Sequence, residues 1–145
     1  MPRRPSLAPT EFPRSSCPIA VSLDLLGDRW TLVVVRDLVL LGKRRFAELL
    51  ESPEGIATNV LAERLERLEH AGLVERRRYQ EHPPRDEYHA TAIGRDLRPI
   101  LLALVRWGNR HFPGTFVPPP ELLRGKPSAW PPRPPGKTRK KGASS

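Results

Sequence analysis

Lys43-Arg44-Arg45-Phe46-Ala47-Glu48-Leu49-Leu50 opens a continuous run that closes with Ala71-Gly72-Leu73-Val74-Glu75-Arg76-Arg77-Arg78-Tyr79. Phe46, Leu49 and Leu50 give a short helix one apolar side. Ser52-Pro53-Glu54-Gly55 reads as a turn. Leu61, Leu65 and Leu68 then recur at helical steps, with Val60 beside them. They predict an amphipathic helix from about Thr58 to Ala71, closed by Gly72. Leu73 to Tyr79 follows as an arginine-rich strand.

The flanks complete the pattern. Glu87 to Ala90 reads as a second strand, and Glu81-His82-Pro83-Pro84-Arg85-Asp86 as the polar tip of a hairpin. Upstream, Cys17 caps a helix that Pro18 opens at its first position and Gly27 ends. Asp28 is placed to cap a second helix, from about Arg29 to Leu41, which is apolar almost all round and therefore central. Downstream, Thr91 caps a last helix whose wide apolar stripe is Ile93, Leu97, Ile100, Leu101, Leu104 and Trp107. The order predicts a mainly α fold with a small β-hairpin, the winged helix-turn-helix.

The chain has 145 residues, enough for one modest domain. Half of its 18 prolines fall between Pro113 and Pro135, and four more lie in the first 13 residues. Residues 17–112 are therefore expected to be the folded unit, with a disordered basic arm over 1–16 and a disordered proline-rich basic tail over 113–145. Of the net charge of +9, the tail carries seven basic residues against Glu121, and the arm Arg3, Arg4 and Arg14 against Glu11. The middle of the chain is nearly neutral. Bulk charge thus points to a polyanion near the ends, and any claim for the domain rests on local pattern.

A single cysteine excludes an intrachain disulfide framework. Arg36 and Asp37 interrupt the most apolar run, Thr31 to Leu41, so no transmembrane helix is expected. Arg3 and Arg4 are not followed by an apolar stretch, which argues against a secretory signal. A soluble cytoplasmic protein on the nucleoid is the expectation. His70, His82, His89 and His111 lack metal-ligand spacing, no glycine-rich phosphate loop is present, and no cofactor and no enzyme chemistry is expected.

The polar face of the Thr58 helix offers Thr58, Asn59 and Arg64. Asparagine can pair bidentately with adenine and arginine with guanine, although a solvated surface face carries the same residue types. Glu63 could accept from cytosine or simply orient a neighbour. On the hairpin, Arg76, Arg77, Arg78 and the tip residue Arg85 could meet phosphates or the minor groove. Strand alternation sends some of them the other way, and charge on an edge hairpin also serves solubility. Lys43, Arg44 and Arg45 form either a phosphate contact or an ordinary charged turn, with Arg45 free to pair with an acidic neighbour. Cys17, at a helix start, faces the positive end of the macrodipole, which favours thiolate. A small residue at a helix start needs no such role. Trp30 and Trp107 read as core and interface anchors.

Cys17-Pro18-Ile19-Ala20, Gly27-Asp28-Arg29-Trp30-Thr31-Leu32, Arg44-Arg45-Phe46-Ala47-Glu48-Leu49, Gly55-Ile56, Leu61-Ala62-Glu63-Arg64-Leu65, Leu68-Glu69, Gly72-Leu73-Val74, Pro84-Arg85, Tyr88, Thr91 and Trp107-Gly108 together resemble the HxlR-type winged-helix regulators, relatives of the MarR group. The resemblance covers Cys17 to about Phe112. It implies a transcriptional regulator that binds double-stranded DNA as a homodimer built from the first and last helices. Ile19, Leu23, Leu97, Leu101, Leu104 and Trp107 are the interface residues so implied. It also implies, for some members, an electrophile or oxidant sensed at the position of Cys17. Ala57 stands where the family has serine and cannot cap, so Thr58 is expected to take over and shift the helix start.

The expected activity is sequence-specific binding of an inverted-repeat operator, two recognition helices entering successive major grooves. Two rivals stand beside it. One is a nucleic-acid-coating protein driven by the basic ends, and the other a winged-helix module whose polar helix face binds protein.

Overall fold

The computed structural model describes residues 14–124. The expected arm up to residue 13 and the tail from residue 125 lie outside the described residues. Helix α1 (Pro18–Leu26) starts as its sequence predicts. Cys17 is extended at the cap, Pro18 takes the first position where its missing N–H costs nothing, and the Gly27 N–H returns to the Leu23 carbonyl at 2.8 Å.

Asp28 then starts α2 (Thr31–Val39). Its Oδ1 accepts the N–H groups of Trp30 at 2.8 Å and Thr31 at 3.0 Å, two donors that a helix start leaves unpaired. The Thr31 hydroxyl donates to its other oxygen. This helix is shorter than the predicted Arg29–Leu41, because residues 28–30 are spent on the capping turn. It sits at the centre, packed by α1, α4, α5, α6 and the hairpin. Val34, Val35 and Leu38 are almost wholly buried there.

The short α3 (Phe46–Leu50) is capped in reverse. Glu48 Oε1 accepts from the Arg45 N–H at 2.9 Å and the Arg44 N–H at 3.3 Å. A turn with Gly55 at φ +75° leads to α4 (Thr58–His70). Ala57 itself is the cap residue, without a side-chain bond, so the expected shift of the cap to Thr58 does not occur. Leu61, Leu65 and Leu68 bury the inner face. The helix stops in a Schellman turn, with Gly72 at φ +86°, the Gly72 N–H on the Glu69 carbonyl at 3.1 Å and the Leu73 N–H on the Leu68 carbonyl at 2.9 Å.

The wing is an antiparallel hairpin, β1 (Val74–Gln80) and β2 (Arg85–Ala90), with Val74 opposite Ala90 and Arg76 opposite Tyr88. The register slips between Arg78 and Gln80, so that Arg85 pairs with Gln80 inside the strand instead of standing free in the tip. The Tyr88 N–H also donates to the Arg44 carbonyl at 2.7 Å, tying the stretch before α3 to the sheet edge.

After the wing the single predicted helix is two. α5 (Ala92–Arg95) is capped by Thr91, whose hydroxyl accepts from the Gly94 N–H at 3.3 Å and donates to the Gly72 carbonyl at 2.7 Å. α6 (Arg98–His111) starts afresh because Pro99, at its second position, cannot donate to the turn before it. Beyond Phe112 the chain does not simply leave the domain. Asn109 Nδ2 holds the Thr115 hydroxyl at 2.9 Å and the Phe116 carbonyl at 2.8 Å, and a last turn, α7 (Pro120–Leu123), buries Leu122 completely. Arg98 Nη2 reaches the carbonyls of Leu122 at 3.2 Å and Leu123 at 3.0 Å. The expected boundary at residue 112 is thus twelve residues early. One apolar anchor and four polar ties outweigh the proline content of this stretch.

Candidate nucleic-acid interface

Thr58 and Asn59 occupy the first turn of α4 and are exposed, as are Ala62 and Glu63 one turn later. The first N–H groups of this helix have no side-chain cap, and the positive end of its dipole points outward with them. Arg64 does not join this face. Its side chain is only 20% exposed, its Nε donates to Asp28 Oδ1 at 2.9 Å, and an Nη1 pairs with Glu63. The expectation that Arg64 reads guanine gives way to a structural tie. A guanidinium already matched by two carboxylates and partly desolvated costs more to redirect than one in water. Arg67, from the next turn, donates to the Leu25 carbonyl at 3.0 Å and lies 3.8 Å from Asp28. Both arginines therefore pin α4 to the junction of α1 and α2.

Partial burial pushes the Asp28 carboxyl upward. Hydrogen bonds from the Thr31 hydroxyl, Arg64 and the backbone N–H groups of Trp30 and Thr31 outweigh it and hold the group well below the usual carboxylate range.

A second network, which sequence reasoning missed, fixes the turn before α4. Asp37, almost wholly buried in the apolar α2, accepts from Arg36 Nε at 2.9 Å, Lys43 Nζ at 3.4 Å and the Ser52 hydroxyl. Arg36 also grips both oxygens of Glu54, the second at 3.0 Å. Burial alone would push Glu54 up and Arg36 down, but their mutual pairing reverses both shifts. The only sequence signal was Arg36-Asp37 inside an apolar run. A buried charge pair there demands partners, and the turn supplies them.

On the wing, Arg76 pairs with Glu69 at 3.0 Å and Asp86 at 3.8 Å, and Arg78 with Asp86 at 3.3 Å and Glu81 at 3.9 Å. Arg77 is taken by Glu75, and Arg45 lies 4.6 Å over the Tyr79 ring and 4.0 Å from Glu87. These are exposed pairs, each holding with about 1 kcal/mol or less, so a phosphate can displace them. Arg85 differs. Its side chain is exposed and has no hydrogen bond or ion pair among the described residues. Arg29, exposed at the start of α2, is in the same condition and was not singled out from sequence.

The sequence model of the HxlR-like helix-turn-helix matches residues 25–115. The chain belongs to the HxlR family. The uncharacterized HTH-type transcriptional regulator sll1512 of Synechocystis sp. is 42% identical over 93 residues, 64% of this chain and 68% of that protein. Among solved structures, PA1607, a proposed transcription factor, superposes with a TM-score of 0.64 at 37% identity over 72% of this chain and 73% of that one. The redox regulator HypR in its oxidized form follows with a TM-score of 0.57 at 34% identity, over 66% and 97%. The HxlR family and these relatives are transcriptional regulators and not enzymes.

Two further features of this HxlR-family chain lie away from the α4 face. Cys17 is exposed, with its N–H on the Ser15 hydroxyl at 3.0 Å. Ile19 and Leu23 on α1, and Leu104 and Trp107 on α6, are apolar side chains open to solvent, Ile19 by 71% and Trp107 by 57%. Ile100, which was not among the interface residues expected, joins them. Leu101 does not, being 5% exposed and part of the core against α2, and Leu97 packs against the same core. No helix among the described residues is long and apolar enough to cross a membrane, and none of their His, Cys, Asp and Glu side chains group as metal ligands.

Proposed function

We propose that this chain is a sequence-specific DNA-binding transcriptional regulator that binds an inverted-repeat operator as a homodimer, in the cytoplasm and on the nucleoid. The observation that carries the reading is the uncapped, exposed first turn of α4. Thr58 and Asn59 stand there on a helix whose position is held from behind by Asp28, Arg64 and the Asp37 network. Asn59 reads base edges in the major groove, while Thr58 and the free N–H groups meet phosphate. Arg85 enters beside the wing, and Arg45, Arg76 and Arg78 exchange their surface carboxylates for phosphate. Two copies associate through Ile19 and Leu23 of α1 and Leu104 and Trp107 of α6. Large apolar side chains this exposed on two helices often mark an association surface.

Cys17 is the site at which an electrophile or oxidant acts on the regulator. Its exposure and its place at the start of a helix of the proposed interface support this, as does likeness to a redox regulator. With one cysteine per chain, any disulfide it forms joins the two copies or a small thiol.

Selection of bound fragments from sheared genomic DNA by reduced protein, with excess competitor, tests the reading. Enrichment of a short inverted repeat is expected, with affinity lost on Asn59→Ala. Retention of DNA without a common sequence would instead mean coating by the basic ends. Retention of none, with affinity for protein, would favour the interaction module.

A further inference from the structure

At the root of the wing lies a recess of about 180 Å³ that the proposed DNA contacts do not use. Its floor is Leu38 and Val39 at the end of α2, and its rim is Arg44, Arg77, His89 and Arg95. Three arginines, from the stretch before α3, from β1 and from α5, thus line one small space. Arg77 alone is neutralised, by the exposed Glu75. Arg44 donates its Nη1 to the carbonyls of Leu38 and Lys43, both at 3.0 Å, and Arg95 its Nη1 to the Ala90 carbonyl at 2.6 Å. Carbonyl partners hold a guanidinium in place without cancelling its charge. Each of these two groups keeps further N–H donors, for a guanidinium has five. His89 is held by Glu87 at 3.1 Å. Neither Arg44 nor Arg95 has an ion pair among the described residues.

We infer that this recess binds a small oxyanion, a phosphate or the phosphate or carboxylate end of a small metabolite. Planar forks fixed by backbone partners suit an ion with several oxygens, and the charges of Arg44 and Arg95 have no counterion among the described residues. The volume lies below the range of roughly 300–1,000 Å³ typical of drug-sized ligands, which limits the occupant to such a group. The site is also remote from Arg85, the proposed contact at the far end of β2. Ala90 and Arg85 are the two ends of β2, about 17 Å apart at the rise of a strand. The inference does not depend on DNA binding.

The test is titration of the full chain, free of DNA, with inorganic phosphate at constant ionic strength, following backbone amides and arginine Nε–H signals by NMR. Methyl phosphate and succinate in parallel separate a free ion from the end of an organic molecule. Saturable shifts at Arg44, Arg77 and Arg95 are expected with at least one of the three, and sodium chloride does not reproduce them. The double variant Arg77→Gln/Arg95→Gln weakens binding at least about tenfold, the fold-change of one clear interaction, while Arg77→Lys/Arg95→Lys, which keeps the charge, loses less. Arg85→Ala leaves it unchanged. Shifts that only grow linearly with all three anions would overturn the proposal. So would an equal loss in Arg85→Ala, which puts the ion at the tip, or displacement of phosphate by a short duplex, which makes the recess part of the DNA footprint.

Discussion

Replacing Asp28 by alanine tests how α4 is held. The carboxylate accepts two backbone N–H groups at the start of α2, and loss of such a cap costs about 0.5–2 kcal/mol. It also leaves Arg64, a side chain only 20% exposed, without its partner across the fold, at about 1.5–3 kcal/mol for a hydrogen bond to a charged group. Because the two effects share one residue they do not simply add, and a total of about 2–4 kcal/mol is expected. Against a domain stability of roughly 5–15 kcal/mol this is large, and at about 4–8 °C per kcal/mol it lowers Tm by roughly 10 °C or more. Urea unfolding of Asp28→Ala, Arg64→Met and the double variant separates the parts, with a coupling of at least about 0.5 kcal/mol between the two positions. The acid limb gives an independent check. The folded-state carboxyl titrates below the unfolded value near 3.8, so its contribution is complete above that pH and falls away as pH drops toward the folded value. The gap between the wild-type chain and Asp28→Asn should therefore narrow below pH 3.8. A loss under about 1 kcal/mol with no coupling would refute the reasoning and return Arg64 to the candidates for base contact.

Arg85→Ala should weaken operator binding by about 1 kcal/mol or more and flatten its salt dependence, whereas Arg77→Ala, on the opposite face of β1 from Arg76 and Arg78, should do little; fluorescence anisotropy at several salt concentrations compares them. Gly94→Ala should destabilise by about 1–3 kcal/mol in thermal melts, because the new Cβ would lie 2.3 Å from the Leu73 carbonyl oxygen, and an unchanged Tm would mean that α5 does not pack closely on Leu73. Leu122→Ala should cost about 2 kcal/mol or more in urea unfolding, as for a fully buried leucine; a neutral result would restore the boundary at residue 112. Leu104→Asp and Trp107→Asp should shift sedimentation from dimer to monomer with far-UV dichroism retained, since both side chains are exposed in the single chain.

Local chemistry carried most of the fold. Pro18, Asp28, Gly55, Gly72 and Thr91 each mark an element boundary through rules that need only near neighbours, and the structure uses all five. Pro99 was equally visible, yet a continuous apolar stripe across it masked the break, because periodicity alone does not register a missing N–H. The failures at Arg64 and Asp37 have another cause. Arg64 meets Asp28 across 36 residues, and Asp37 meets Ser52 across 15. A polar residue on a helix face looks the same in sequence whether a distant carboxylate or solvent awaits it. The stretch 113–124 was misread because its proline content speaks for extended chain, while its docking depends on one leucine and on carbonyls that Arg98 collects.

That docking moves the chain's point of departure. α6 has 14 residues, a rise of about 20 Å, and the irregular stretch that follows doubles back along it until Leu122 and Leu123 lie against Arg98 at its first turn. Whatever follows Arg124 therefore sets out from the end of α6 that adjoins α5 and the wing, not from the far end where the helix stops.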